Sequence, residues 1–146
     1  MLENEQLLLL GYTADHITQY PRPYLQGIDL FNCQKYWQAH EAWEIIWRLA
    51  ANPQRLYYQA LIQTAAGLLH YDRHNLYGAN LCINNALQKF HHLPNLFMGL
   101  LIQEFATEIS NFVADALIGV PNIATWRERR AAHVLAPHPQ ICLQMS

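Results

Sequence analysis

From Leu56 to Tyr71 the chain carries no charged side chain on any helical face, apart from a histidine that is neutral at pH 7, and no proline. A helix that is apolar all round is either central to a fold or covered by a partner chain, so the other elements have to be arranged around this one. It falls short of the roughly 20 apolar residues that a membrane span needs. Gln59, Gln63, Thr64 and His70 also interrupt it. No membrane association is expected. Asn52-Pro53 closes whatever precedes it, because the residue before a proline is pushed out of helical geometry. The predicted central helix therefore runs from Gln54 to about Arg73. Gly67 lies inside it at a cost of about 1 kcal/mol relative to alanine, which suggests close approach of a neighbouring helix.

The flanking segments carry helical periodicity. Tyr36, Ala39, Trp43, Ile46 and Ala50 recur at intervals of three and four, which predicts a helix from about Cys33 to Leu49 with Asn32 as its N-cap. Asn75 is the expected N-cap of a third helix, Leu76 to Leu93, stopped by Pro94. A fourth, from about Leu96 to Leu117, has Leu101, Phe105, Ile109, Phe112 and Ala116 as its stripe and ends before Gly119 and Pro121. No strand pattern competes. Pro21, Pro23 and Gly27 break regular structure, so residues 1–31 are expected to wrap the body as a loop after a helical turn or two between Glu3 and Leu10. Residues 119–146 hold one short helical candidate, Thr125 to Leu135, then an end left extended or disordered by Pro137 and Pro139. The expected fold is all-α: a single-domain antiparallel helical bundle of about four main helices, with its core in residues 32–118 and short terminal segments.

Only 14% of the residues are charged, against about 25% in ordinary soluble domains. A surface this poor in charge suggests burial against a second copy, so a homodimer is expected. The net charge of -2 gives no nucleic-acid footprint. Trp126-Arg127-Glu128-Arg129-Arg130, with His133, is too short a basic cluster to supply one. Cys33, Cys82 and Cys142 are odd in number and widely spaced, as expected of thiols in a reducing compartment. No basic region precedes Leu7 to Leu10, so no signal peptide is read and a cytoplasmic location is expected.

The chemistry concentrates in Tyr36-Trp37-Gln38-Ala39-His40-Glu41-Ala42-Trp43-Glu44-Ile45-Ile46-Trp47-Arg48. His40 and Glu44 are four apart and share a helical face. With His70 from the central helix they could supply two imidazoles and a carboxylate to one zinc or manganese ion, leaving a position for water. Such a metal would make hydrolysis feasible, with Glu41 or Glu44 as the acid–base group. The string lacks the second histidine of the zincin pattern. The competing reading is a structural polar network of His40, Glu44 and His70 that fixes how two helices dock. Gln63, Arg73 and Asn75, near His70 and Gly78 by spacing, are candidates for holding a small polar ligand such as a phosphate or carboxylate. Capping the helix and tying the corner together is the other role open to them. Glu104 and Glu108 are also four apart, but the chain has no Glu-x-x-His, which a di-iron bundle site requires.

These same residues resemble the DUF309 family, small all-helical proteins of unknown function. The resemblance rests on Leu30-Phe31-Asn32, the block from Tyr36 to Arg48, Gln59-Ala60-Leu61-Ile62-Gln63-Thr64-Ala65-Ala66, and then His70, Arg73, Asn75, Gly78 and Ala79. It spans roughly residues 27–93. His74 and Ala60 stand where the family usually has glycine. The resemblance implies a compact helical fold and self-association. It also brings a loose label of metal-dependent hydrolase, which rests on the His-Glu motif itself. Three functions are thus open: a non-enzymatic bundle whose His/Glu/Gln/Arg cluster is structural or binds a small polar ligand, a hydrolase using His40, Glu44 and His70, and a protein-interaction module.

Overall fold

A computed structural model describes residues 14–118 and 138–144. The described residues form α1 (Ala14–Gln19), α2 (Arg22–Asn32), α3 (Tyr36–Trp47), α4 (Gln54–Asp72), α5 (Leu76–His91), a hairpin of β1 (Leu96–Phe97) and β2 (Leu100–Leu101), α6 (Ile102–Phe112) and the short α7 (Ala114–Ile118). The architecture is an all-α bundle, but the expectation of about four main helices is too low. Among the described residues six helices have six residues or more, and a short five-residue helix follows them.

The largest departure is α2, which occupies a stretch expected to be a loop. Pro21 sits at its N-cap and Pro23 in its first turn. At those positions the fixed φ suits a helix and the missing N–H would have no intrahelical partner anyway, so proline starts the helix instead of breaking it. Tyr24, Leu25, Ile28 and Phe31 then form its buried face. Gly27 lies beneath the indole of Trp43, and a Cβ there would meet Trp43 Nε1 at 2.0 Å. The indole in turn donates to the Tyr24 carbonyl at 3.1 Å. Asn32 is not the N-cap of α3. It is the last residue of α2, and Gln34 (φ 62°) reverses the chain before α3 begins.

Helices α2 to α5 each pack on the next in the chain, and α4 is central, against both α3 and α5. Its core face is closed by Tyr57, Leu61, Ala65 and Leu68. A stripe of Gln59, Ile62, Gln63, Ala66 and His70 stays half-buried, so the uncharged helix is not enclosed all round. Gly67 admits α5 closely, since a Cβ would stand 2.5 Å from Ile83 Cδ1.

The expected fourth helix begins late and is interrupted. Leu96↔Leu101 and Phe97↔Leu100 pair as a small antiparallel hairpin, where no strand was expected. Met98 and Gly99 at its tip have φ of 46° and 83°, which excludes a right-handed helix there. Val113 then separates α6 from α7. No helix among the described residues is long and apolar enough to cross a membrane. The Thr125–Leu135 helix and the Trp126–Arg130 cluster lie outside the described residues.

Candidate functional site

The periodicity that makes α3 a helix sends Ala39 and Trp43 inward and leaves His40, Glu44 and Trp47 at the edge of its buried face. His40 Nε2 stands 3.5 Å from Glu44 Oε1, and Arg48 Nη2 is 3.9 Å from Glu44 Oε2. The Trp37 ring stacks on the His40 imidazole, with centroids 5.1 Å apart and planes inclined by 9°. Nε2 faces the carboxylate, and Nδ1 lies on the buried side. At the far end Arg55 from α4 donates to the Trp47 carbonyl at 3.0 Å and lies over its ring, 4.1 Å from the centroid.

Three hydrogen-bonding atoms on these two helices are buried without a partner among the described residues: His40 Nδ1, Trp47 Nε1 and Gln63 Oε1. One is a donor, one an acceptor, and the imidazole nitrogen is either according to its tautomer. Leaving such a group unmet costs about 1–3 kcal/mol.

His70 belongs to a different cluster. Its Nδ1 faces Asn75 Nδ2 at 3.2 Å, while Asn75 Oδ1 accepts the Gly78 N–H at 2.9 Å. Asn75 is therefore the N-cap of α5, worth about 1 kcal/mol, and holds the imidazole of His70 with its other amide atom. Gly78 belongs to the same corner, since a Cβ there would meet Asn75 Nδ2 at 2.7 Å and His70 Cγ at 2.9 Å. Arg73 is the exposed residue that ends α4, and Glu41 is exposed on α3.

Of the residues singled out by sequence, His40 and Glu44 meet each other and His70 meets Asn75. Among the described residues no three His, Cys, Asp or Glu side chains are grouped so that they could hold a metal ion. Two further features were not foreseen. One is the Trp37 stack. The other is a hydroxyl relay in the core, where Tyr57 OH and Tyr24 OH stand 2.7 Å apart and Tyr24 OH donates to the Met98 carbonyl at 3.0 Å. Burial pushes both phenols well above their ordinary range; Tyr57 raises Tyr24 further by charge and hydrogen bonding, whereas the hydrogen bond with Tyr24 partly offsets the rise at Tyr57. Tyr24 sits in the segment taken for a loop, so nothing in the periodicity pointed to it.

Residues 24–81 match the model of a family described as a domain of unknown function (DUF309). No curated protein matches the chain. The matched span runs from α2 into α5 and contains His40, Glu44, Gln63, His70 and Asn75. His74 adopts φ 63°. That left-handed geometry costs a side chain roughly 1–2 kcal/mol and costs glycine nothing.

Proposed function

We propose that this protein holds a small, uncharged polar molecule at the α3–α4 seam, with His40, Trp47 and Gln63 supplying its hydrogen bonds. The observation that carries this is the set of three buried, unpartnered polar atoms on two adjacent helices. A ligand offering both a hydroxyl or amide donor and an acceptor would complement them, and the Trp37–His40 stack would hold the imidazole in place for it. Gln63→Leu separates this from a purely structural cluster. Removing a buried acceptor that no described residue satisfies should stabilise the ligand-free protein, or leave it unchanged within about 1 kcal/mol. The same change should abolish the thermal shift given by whichever polyol, amide or amino acid stabilises the wild type. That stabilisation reaches about 2.7 kcal/mol when the ligand is at a hundred times its dissociation constant. A loss of more than about 2 kcal/mol in ligand-free Gln63→Leu would mean the carbonyl is already used in the fold, and would defeat the proposal.

A metal-assisted hydrolase built on His40, Glu44 and His70 has less support. Asn75 holds the imidazole of His70, and Glu41 is exposed. One zinc per chain, lost in folded His40→Ala and His70→Ala, would favour it instead.

Self-association has its own observation. Trp37 (54% exposed) and Ile45 (58%) on α3, with Tyr77 (81%) and Leu81 (52%) on α5, lie on the two helices that flank the half-buried stripe of α4. We take this face as the homodimer contact. Light scattering should give the mass of two chains for the wild type and of one for Trp37→Glu/Tyr77→Glu. A monomeric wild type at tens of micromolar rules the contact out.

A further inference from the structure

Residues 138–144 lie across the body as a segment with the burial alternation of a strand and no strand paired to it among the described residues. Pro139, Ile141 and Leu143 are buried, whereas Gln140, Cys142 and Gln144 are exposed. The body meets its main chain with polar groups. Asn32, at the end of α2, takes both main-chain groups of one residue: Nδ2 donates to the Ile141 carbonyl at 2.9 Å and Oδ1 accepts the Ile141 N–H at 2.7 Å. The Gly99 carbonyl accepts the Gln144 N–H at 2.6 Å, and His16 Nε2 meets the Gln144 carbonyl at 2.7 Å. Glu108 Oε1 accepts the Gln140 N–H at 3.3 Å. Two side chains of the segment are met as well: Gln140 Nε2 donates to the Asn32 carbonyl at 3.2 Å, and the His138 ring packs on Phe112 with centroids 4.9 Å apart. The rest of the specificity lies in the seats of residues 139, 141 and 143, and Gly99 keeps the last one open, because a Cβ there would stand 3.2 Å from Leu143 Cβ. Main-chain hydrogen bonds with alternate side chains in apolar seats are the physics of extended-peptide recognition.

The groove is also wider than its occupant. An open cavity of about 340 Å³ runs beside the segment, walled by Glu104 and Glu108 of α6 on one side and the outward Gln140, Cys142 and Gln144 on the other. The segment brings no positive charge to those two carboxylates. A chain with lysine or arginine at the outward positions would.

We propose that the groove between α2, the hairpin and α6 is a binding site for an extended peptide with apolar residues at alternate positions and basic residues between them, and that residues 138–144 occupy it as a displaceable ligand from the same chain. The site is separate from the α3–α4 seam and does not depend on what binds there.

The test uses the full chain with Ile141→Asp/Leu143→Asp, which removes two of the three buried anchors, and two fluorescent peptides. His-Pro-Gln-Ile-Ser-Leu-Gln copies the native segment, and His-Pro-Lys-Ile-Lys-Leu-Gln places lysine beside the carboxylates. In anisotropy titrations both should saturate on the released variant. The lysine peptide should bind about five- to tenfold tighter at low salt, as expected for two partly exposed ion pairs. That advantage should vanish at high salt or with Glu104→Gln/Glu108→Gln, and Asn32→Ala should weaken both peptides alike. The wild type should bind at least tenfold more weakly, because its groove is filled. Helical circular dichroism with neither peptide saturating would overturn the proposal, as would equal affinity for the two at low salt. Should the variant fail to fold, hydrogen exchange of the wild type decides. Displaceability requires the Ile141 and Gln144 amides to exchange at least tenfold faster than the slowest amides of α4, and exchange only through global unfolding makes the segment part of the core and ends the proposal.

Discussion

Gly27→Ala should be the most damaging glycine-to-alanine change among the described glycines. The new Cβ would fall 2.0, 2.4 and 2.5 Å from three atoms of the Trp43 indole, which is itself fully buried and tied to the Tyr24 carbonyl. The ring has nowhere to go: Phe31 packs on it, with centroids 6.0 Å apart. Overpacking of a rigid group costs about 1–3 kcal/mol and occasionally more. Displacing the indole from its acceptor adds about 1 kcal/mol. The better helix propensity of alanine returns about 1 kcal/mol. With three contacts this short the upper end applies, and the expected loss is about 3 kcal/mol, or roughly 6–12 °C in Tm for a chain of this size. Gly67→Ala is the matched control. Its Cβ would meet Ile83 Cδ1 at 2.5 Å and Cγ1 at 2.6 Å, so one aliphatic side chain and not a hydrogen-bonded ring has to shift, and the cost should be smaller, about 1–2 kcal/mol. Urea unfolding of the two variants beside the wild type checks both. Equal, small losses would mean that Trp43 can re-seat and that the α2–α3 contact is not rigid.

Alkali should unfold the protein steeply. Tyr24 and Tyr57 are fully buried in the folded state, and burial holds both phenols protonated well above their ordinary range. In the unfolded chain they titrate near 10. Below that pH both states keep their protons and stability is flat. Above it the unfolded state releases protons that the folded state retains, so stability falls by about 1.4 kcal/mol per pH unit for each phenol. The pair together removes about 5 kcal/mol between pH 10 and pH 12, against a total stability of order 5–15 kcal/mol. Tyr58 is also raised by burial and adds to the slope. The tyrosinate absorbance of the pair should therefore appear together with loss of helicity. Tyr24→Phe/Tyr57→Phe should flatten the slope. Tyrosinate forming from these residues in a chain that keeps its helices would contradict the relay.

What could be foreseen follows from how local each cause is. Helix α4 was visible because Pro53 and the absence of charge define it within its own residues. The Asn75 cap was visible because its partner, Gly78, is three residues away. The close approach at Gly67 was suggested by the glycine alone and is met by Ile83. Helix α2 was lost because a proline reads as a breaker until its position in the first turn is known. The hairpin was lost because six residues, four of them leucine or phenylalanine, carry no period, and methionine is not a residue type that signals the positive φ found at Met98. In the candidate site, the His40–Glu44 pair could be read from the i, i+4 rule. Whether His70 joins it depends on the rotation and register of α4 against α3, which spacing does not encode, and the nearby Asn75 takes that imidazole. The alternation of Pro139, Ile141 and Leu143 was present in the sequence, but nothing within those residues names Asn32 as their partner.

The segment laid across the body also sets an order of assembly. Helices α2 to α5 meet their neighbours across short connections, so their contacts close small loops. The Asn32–Ile141 and His16–Gln144 bonds join residues 109 and 128 positions apart. The entropy of closing a loop grows with the logarithm of its length, and contacts near in sequence form sooner. The segment therefore seats last, on a surface whose shape is already complete, and a newly made chain passes through an interval in which Asn32 and the Gly99 carbonyl face solvent. Whatever else carries the right alternation of side chains can compete for them most easily in that interval.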